Sequence, residues 1–212
     1  APAGSPVART GRGSAGGGTG IGAAAARRLA AEGAKVAVMG RRSGPLNDVA
    51  QEIGGLAAVG DASNERDVRS AIRRTSEQFG GLDVLIANAG GGPVGPAEAT
   101  DDAMWADALD ANLNSAFVCA REALPELRRR SGSIVVIGSV ASLRAGPKMV
   151  GYITAKSALL GLVRSLAVDY GPVGVRVTGG PPPRRWTRRS TAGSGTPAGP
   201  TSWPRCSGRP TR

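Results

Sequence analysis

The sequence predicts an α/β domain built on a doubly wound parallel sheet, and three observations carry that expectation. Short apolar runs of strand length alternate with helical stretches of about ten residues or more, from residue 21 to residue 177. Apolar residues make up 41% of the chain with only 3% aromatic, and they are largely Ala, Val and Leu, which suits small-residue helices packed closely on a buried sheet. The 212 residues fit one domain with a sizeable core.

Each element follows from its local pattern. An Ala-rich helix is expected over 21–32, stopped by Gly33, and the apolar run 35–39 then reads as a strand. Residues 45–53 read as a helix and 56–59 as a strand. A helix over 64–79 carries Val68, Ile72 and Phe79 along one side. Residues 82–86 form the next strand, 102–127 hold a helical pattern, 133–137 a strand, 150–170 a helix, and 173–177 the closing strand. Parallel strands joined by such helices need right-handed crossovers, which place helices on both faces of the sheet and ligands at the strand C-terminal ends.

The two ends depart from this regularity. The strand that should precede the first Gly-rich turn shrinks to Val7 and Ala8, and the polar stretch 9–14 is expected to make a poor buried strand. From Thr178 onward the chain has no period and too few apolar residues to pack, so residues 178–212 are expected to be a disordered tail after a domain spanning 1–177. A shifted reading frame in the coding DNA would explain so abrupt a change.

Charge and composition exclude several classes of function. The tail holds seven arginines and no acidic residue, so the formal charge of +11 falls to +4 in the rest, where acids and bases mix along the helices. The alternative of a basic-tailed nucleic-acid binder therefore rests on the tail alone, which has little aromatic interleaving beyond Trp186 and Trp203. Histidine is absent, which removes a Ser-His-Asp triad and any His-based zinc site. Two isolated cysteines, no spanning apolar run and no signal-peptide pattern point to a soluble protein of a reducing cytoplasm without a metal.

Two groups of residues carry chemistry. Gly16, Thr19, Gly20, Ile21 and Gly22 open the first helix, where glycines let backbone amides approach a pyrophosphate closely. Such a turn alone is a weak signal, since many are merely loops. The stronger one is Tyr152 four residues before Lys156 on a helix, with Ser139 at the end of the preceding strand. A phenol is a poor base at neutral pH, and a neighbouring cation favours phenolate, so this spacing points to proton exchange with a substrate oxygen. Taken singly, each residue is as readily a solvated surface or turn residue. After the second strand stand Arg41 and Arg42, where an acidic residue would bind the 2′-hydroxyl of NAD and an Arg the 2′-phosphate of NADP. Arg41 therefore favours NADP(H) over NAD(H).

The spacing Gly16-x-x-x-Gly20-x-Gly22, the segment Ala87-Asn88-Ala89-Gly90 and Tyr152-x-x-x-Lys156 together resemble the short-chain dehydrogenase/reductase family over about residues 15–177. The resemblance implies a single Rossmann-type domain that interconverts a secondary alcohol and a ketone, with 3-oxoacyl thioesters among the possible substrates. It implies that Ser139 holds the substrate oxygen, Tyr152 moves its proton, Lys156 grips the nicotinamide ribose and Asn112 maintains a water-linked relay to Lys156. Asn88, Gly90 and the pair Asp61-Ala62 match cofactor-side positions, the last beside the adenine. Ala15 replaces the family's Thr and Ala87 its first Asn. No counterpart of the family's last strand and substrate lid is expected, so cofactor binding with low or undetectable turnover is expected. A homodimer is expected through residues 102–127 and 150–170. The competing reading is a catalytically inactive nucleotide-binding remnant.

Overall fold

The computed structural model describes residues 11–182. Its strands β1 (Gly11–Ala15), β2 (Lys35–Gly40), β3 (Leu56–Val59), β4 (Val84–Ala87), β5 (Ser133–Ile137) and β6 (Arg176–Gly180) form one six-stranded sheet in the order β3-β2-β1-β4-β5-β6, every pair parallel. The crossovers are α1 (Gly20–Ala31), α2 (Ser43–Glu52), α3 (Glu65–Phe79), α4 (Asp102–Leu109) with α5 (Ser115–Arg129), and α6 (Val150–Tyr170). Strand order runs outward one way from β1 and the other way from β4. The reversal leaves a crevice at their C-terminal ends, where open α/β sheets bind ligands.

Strand periodicity builds the core on both faces. On β2, Val36 and Val38 join Ala23 and Ala26 of α1 and Leu46 and Val49 of α2, while Met39 faces the other cluster. That second cluster gathers Val68 of α3, Leu85 of β4, Ala120 and Leu127 of α5, Ile134 and Val136 of β5 and Leu159 of α6. No helix among the described residues is long and apolar enough to cross a membrane.

The structure corrects the reading of both ends. Val7 and Ala8 lie outside the described residues, but the polar stretch expected to be a poor strand supplies β1, at the centre of the sheet. Pairing overrides propensity there, because β1 bonds β2 and β4 on either side and both neighbours are strongly apolar. At the other end, Val173 closes a 3₁₀ turn and the strand expected from it starts only at Arg176, and β6 runs on through Thr178, Gly179 and Gly180, three residues past the expected boundary. Gly179 is required there: a Cβ would lie 2.8 Å from Val163 Cγ2 and 2.9 Å from Val136 O. The region expected to be helical over 102–127 is split by a π-turn at Asp110–Asn114.

Candidate active site

At the C-terminal end of β1 the chain turns back on itself. The amides of Gly16 and Gly17 both donate to Met39 O, at 2.8 and 3.0 Å, which draws the turn towards β2. Gly16 and Gly20 hold left-handed φ values of +73° and +56°. At Gly22 an added Cβ would stand 2.2 Å from Gly16 O, so only glycine lets α1 begin against the turn. Asn88, just past β4, donates from Nδ2 to Gly16 O at 3.2 Å and ties the two sides of the crevice together. Thr19 occupies the N-cap of α1 without capping it, and the first turn holds no acidic residue. The helix N-terminus is thus left open to an anion.

The far side of the crevice is organised by the π-turn. Its extra residue turns Asn112 inward, where the side chain is fully buried. Asn112 Oδ1 accepts from Gly91 N at 3.0 Å, while its Nδ2 donates to Gly91 O at 2.6 Å and to Ala108 O at 2.9 Å. Gly90 packs between this amide and Lys156, since a Cβ there would meet Asn112 Oδ1 at 2.8 Å and Lys156 Nζ at 2.9 Å. On α6, Gly151 permits close approach to Ala108 of α4, at 2.8 Å from an added Cβ, which seats the helix carrying Tyr152 and Lys156.

Lys156 is 5% exposed and donates to Ile137 O at 3.3 Å. Burial pulls its pKa down to about 8, because no carboxylate offsets the loss of water. Its ammonium stands 6.0 Å from the centre of the half-buried Tyr152 ring. Ser139 ends the loop from β5, and its Oγ accepts from Ala141 N at 3.1 Å, leaving its own hydroxyl proton free to donate outward. Past β3, burial works to raise the Asp61 carboxyl. The bonds from the Ser63 amide and hydroxyl, both 2.8 Å, and the charge of Arg41 outweigh it and hold that carboxyl below its usual range.

The short chain dehydrogenase family model matches residues 15–189. The chain belongs to the short-chain dehydrogenase family. It is 44% identical over 162 residues to Protein MoaE of Klebsiella aerogenes, covering 76% of this chain and 63% of that one. It is 37% identical over 163 residues to a 3beta-hydroxysteroid dehydrogenase of Mediterraneibacter gnavus, covering 74% and 59%. The chain therefore spans about three-fifths of the length of these relatives. Among solved structures, a 3-ketoacyl-ACP reductase from Sinorhizobium meliloti superposes with a TM-score of 0.78 at 34% identity, over 81% of this chain and 71% of the other.

In this short-chain dehydrogenase chain most of the sequence-predicted residues stand at the C-terminal ends of β1, β4 and β5 and on the helices beside them. Gly16, Thr19, Gly20, Ile21 and Gly22 follow β1, Asn88 and Gly90 follow β4, and Asn112, Ser139, Tyr152 and Lys156 stand on the elements beyond. Asp61 and Ala62 follow β3 on the other flank. Asn114, the neighbour set aside in favour of Asn112, is exposed and bonded to Asp110 instead. The Arg41 side chain is 78% exposed and faces Asp61 Oδ2 at 3.9 Å. Arg42 instead reaches the Gly-rich turn, its guanidinium donating to Thr19 Oγ1 at 3.3 Å. Sequence reasoning weighed Arg41 over Arg42, since nothing local in a doubled arginine says which of the two turns towards Thr19.

Proposed function

We propose that this chain is an oxidoreductase that interconverts a secondary alcohol and a ketone with NADP(H) in preference to NAD(H). The observation that supports it most directly is the Tyr152 ring beside the buried Lys156 ammonium, on the helix that follows β5, together with an uncapped Gly-rich helix start after β1. A dinucleotide fits these residues. The pyrophosphate would meet the first turn of α1, the adenine Asp61 and Ala62, and the nicotinamide ribose Lys156, whose ammonium bonds only the Ile137 carbonyl among the described residues. When bound, the dinucleotide supplies or accepts the hydride.

The protein's own residues manage the substrate oxygen. Ser139, its lone pair engaged by Ala141 N–H, donates its hydroxyl to that oxygen and fixes its position. Tyr152 gives up or takes the proton, with the Lys156 ammonium 6.0 Å from the centre of its ring. Asn112 clamps Gly91 through both amide and carbonyl, which holds the loop that walls the crevice. The exposed Val94, Val140 and Leu143, on the loops after β4 and β5, favour an apolar body on the substrate.

Cofactor choice rests on the paired arginines. Arg42 stands at Thr19, where a 2′-phosphate would lie between the Gly-rich turn and β2, while the Arg41 charge is partly answered by Asp61. Arg42→Ala is expected to narrow the NADPH preference by about tenfold or more, and Arg41→Ala by less. Equal affinities of the wild type for NADPH and NADH in a fluorescence titration would overturn this preference.

A further inference from the structure

One residue is bonded to both sides of the proposed proton-transfer pair. The Ser142 amide donates to Ser139 O at 3.0 Å, closing the 3₁₀ turn that Ser139 caps. Its hydroxyl donates to Lys156 O at 2.8 Å, a main-chain oxygen in α6 one turn beyond Tyr152. Lys156 Nζ in turn bonds Ile137 O, two residues before Ser139. The end of β5 and the helix that carries Tyr152 are therefore stitched together twice, once through a side chain on each element.

We infer that Ser142 is a positioning residue, a clasp that sets the reach of the Ser139 hydroxyl relative to Tyr152 and Lys156. The inference rests on the oxidoreductase reading above. The physical need is plain: Ser139 lies on a loop, Tyr152 on a helix, and both must meet one substrate oxygen within hydrogen-bond distance. Nothing in the 3₁₀ turn packs into the core, since Val140, Ala141 and Ser142 are all exposed or only half-buried. Hydrogen bonds rather than burial must then hold it to α6. Ser142 meets Lys156 at its main-chain oxygen and not at its ammonium, so its effect should be felt in turnover and not in cofactor binding.

The test compares wild type with Ser142→Ala, Ser142→Thr and Tyr152→Phe in the full chain. Ser142→Ala is expected to raise amide exchange at residues 139–142 while β1, β2 and β4 stay protected. It should lower kcat for an apolar ketone about tenfold, as one lost hydrogen bond expressed in the transition state implies, with the NADPH Kd unchanged. Ser142→Thr, which keeps the hydroxyl, should recover most of the loss. Unchanged exchange in Ser142→Ala overturns the clasp whatever the turnover. Faster exchange with unchanged kcat, while Tyr152→Phe is inactive, overturns the positioning role and leaves the oxidoreductase reading standing. If wild type shows no turnover, or Tyr152→Phe matches it, the oxidoreductase reading fails and the positioning role falls with it.

Discussion

At Lys156, burial and chemistry pull in opposite directions. An ammonium 5% exposed and, among the described residues, without an anionic partner is held at a pKa of about 8, against about 10.4 in an unfolded chain. Between those values the unfolded state binds more protons than the folded one, so stability rises with pH from about 8 to about 10.5 and the full cost is present below 8. Lys156→Met should therefore raise the melting temperature of the ligand-free protein at pH 7, by up to about 3 kcal/mol in stability, with the gain shrinking as pH approaches 10. An unchanged or lower midpoint at pH 7 would show that the ammonium is compensated. Cys119 is the contrasting case. Burial and then the charge of Asp61 push its thiol up to about 12, so it should resist alkylation in the folded protein and react only on unfolding. Lys156 was legible in the sequence because helical spacing alone sets it beside Tyr152. Arg42 and Ser142 were not, since their partners Thr19 and Lys156 lie 23 and 14 residues away, distances that no local pattern spans.

Among elements, β1 and the π-turn show where pattern reading stops. The helices and β2 to β5 were recoverable because each carries its own period of apolar residues. β1 carries none, and its place comes from two partner strands that only the fold brings alongside. The consequence is a small cavity, ≈ 30 Å³, beside Gly13 and lined by Met39, Val68, Ile72, Leu85 and Cys119 among others. A Cβ at Gly13 would sit 3.4 Å from Leu82 Cδ1, an ordinary contact, at a backbone φ open to any residue. Gly13→Ala is expected to stabilise the protein by roughly 1 kcal/mol, through reduced chain entropy and partial filling of the void, read as a rise in denaturation midpoint. A fall would mean that β1 needs the glycine. The π-turn was equally hidden, because an uninterrupted helical pattern runs through 102–127 while the insertion at Asp110–Asn114 is what turns Asn112 inward. Asn112→Ala strands the Gly91 amide and carbonyl and should cost about 2 kcal/mol or more, with loss of protection at residues 90–92 in hydrogen exchange.

For the whole molecule, the strand order puts the Gly-rich turn and the Tyr152–Lys156 helix on the two sides of one switch point, which is the arrangement a dinucleotide and its substrate require. The same view bears on assembly. α5 and α6 leave Phe117 at 44% and Val168 at 74% exposure, and the proposal that two chains pair through these helices predicts a dimer by sedimentation, broken by Phe117→Asp with Val168→Asp. A monomer at every concentration would contradict it. The central claim is that Tyr152 transfers the proton, and the measurement that tests it most directly is NADPH oxidation against a panel of apolar ketones by wild type and Tyr152→Phe. Wild type should turn over, and the variant should lose roughly a hundredfold or more in kcat with NADPH affinity retained. Turnover undiminished in Tyr152→Phe would contradict that claim.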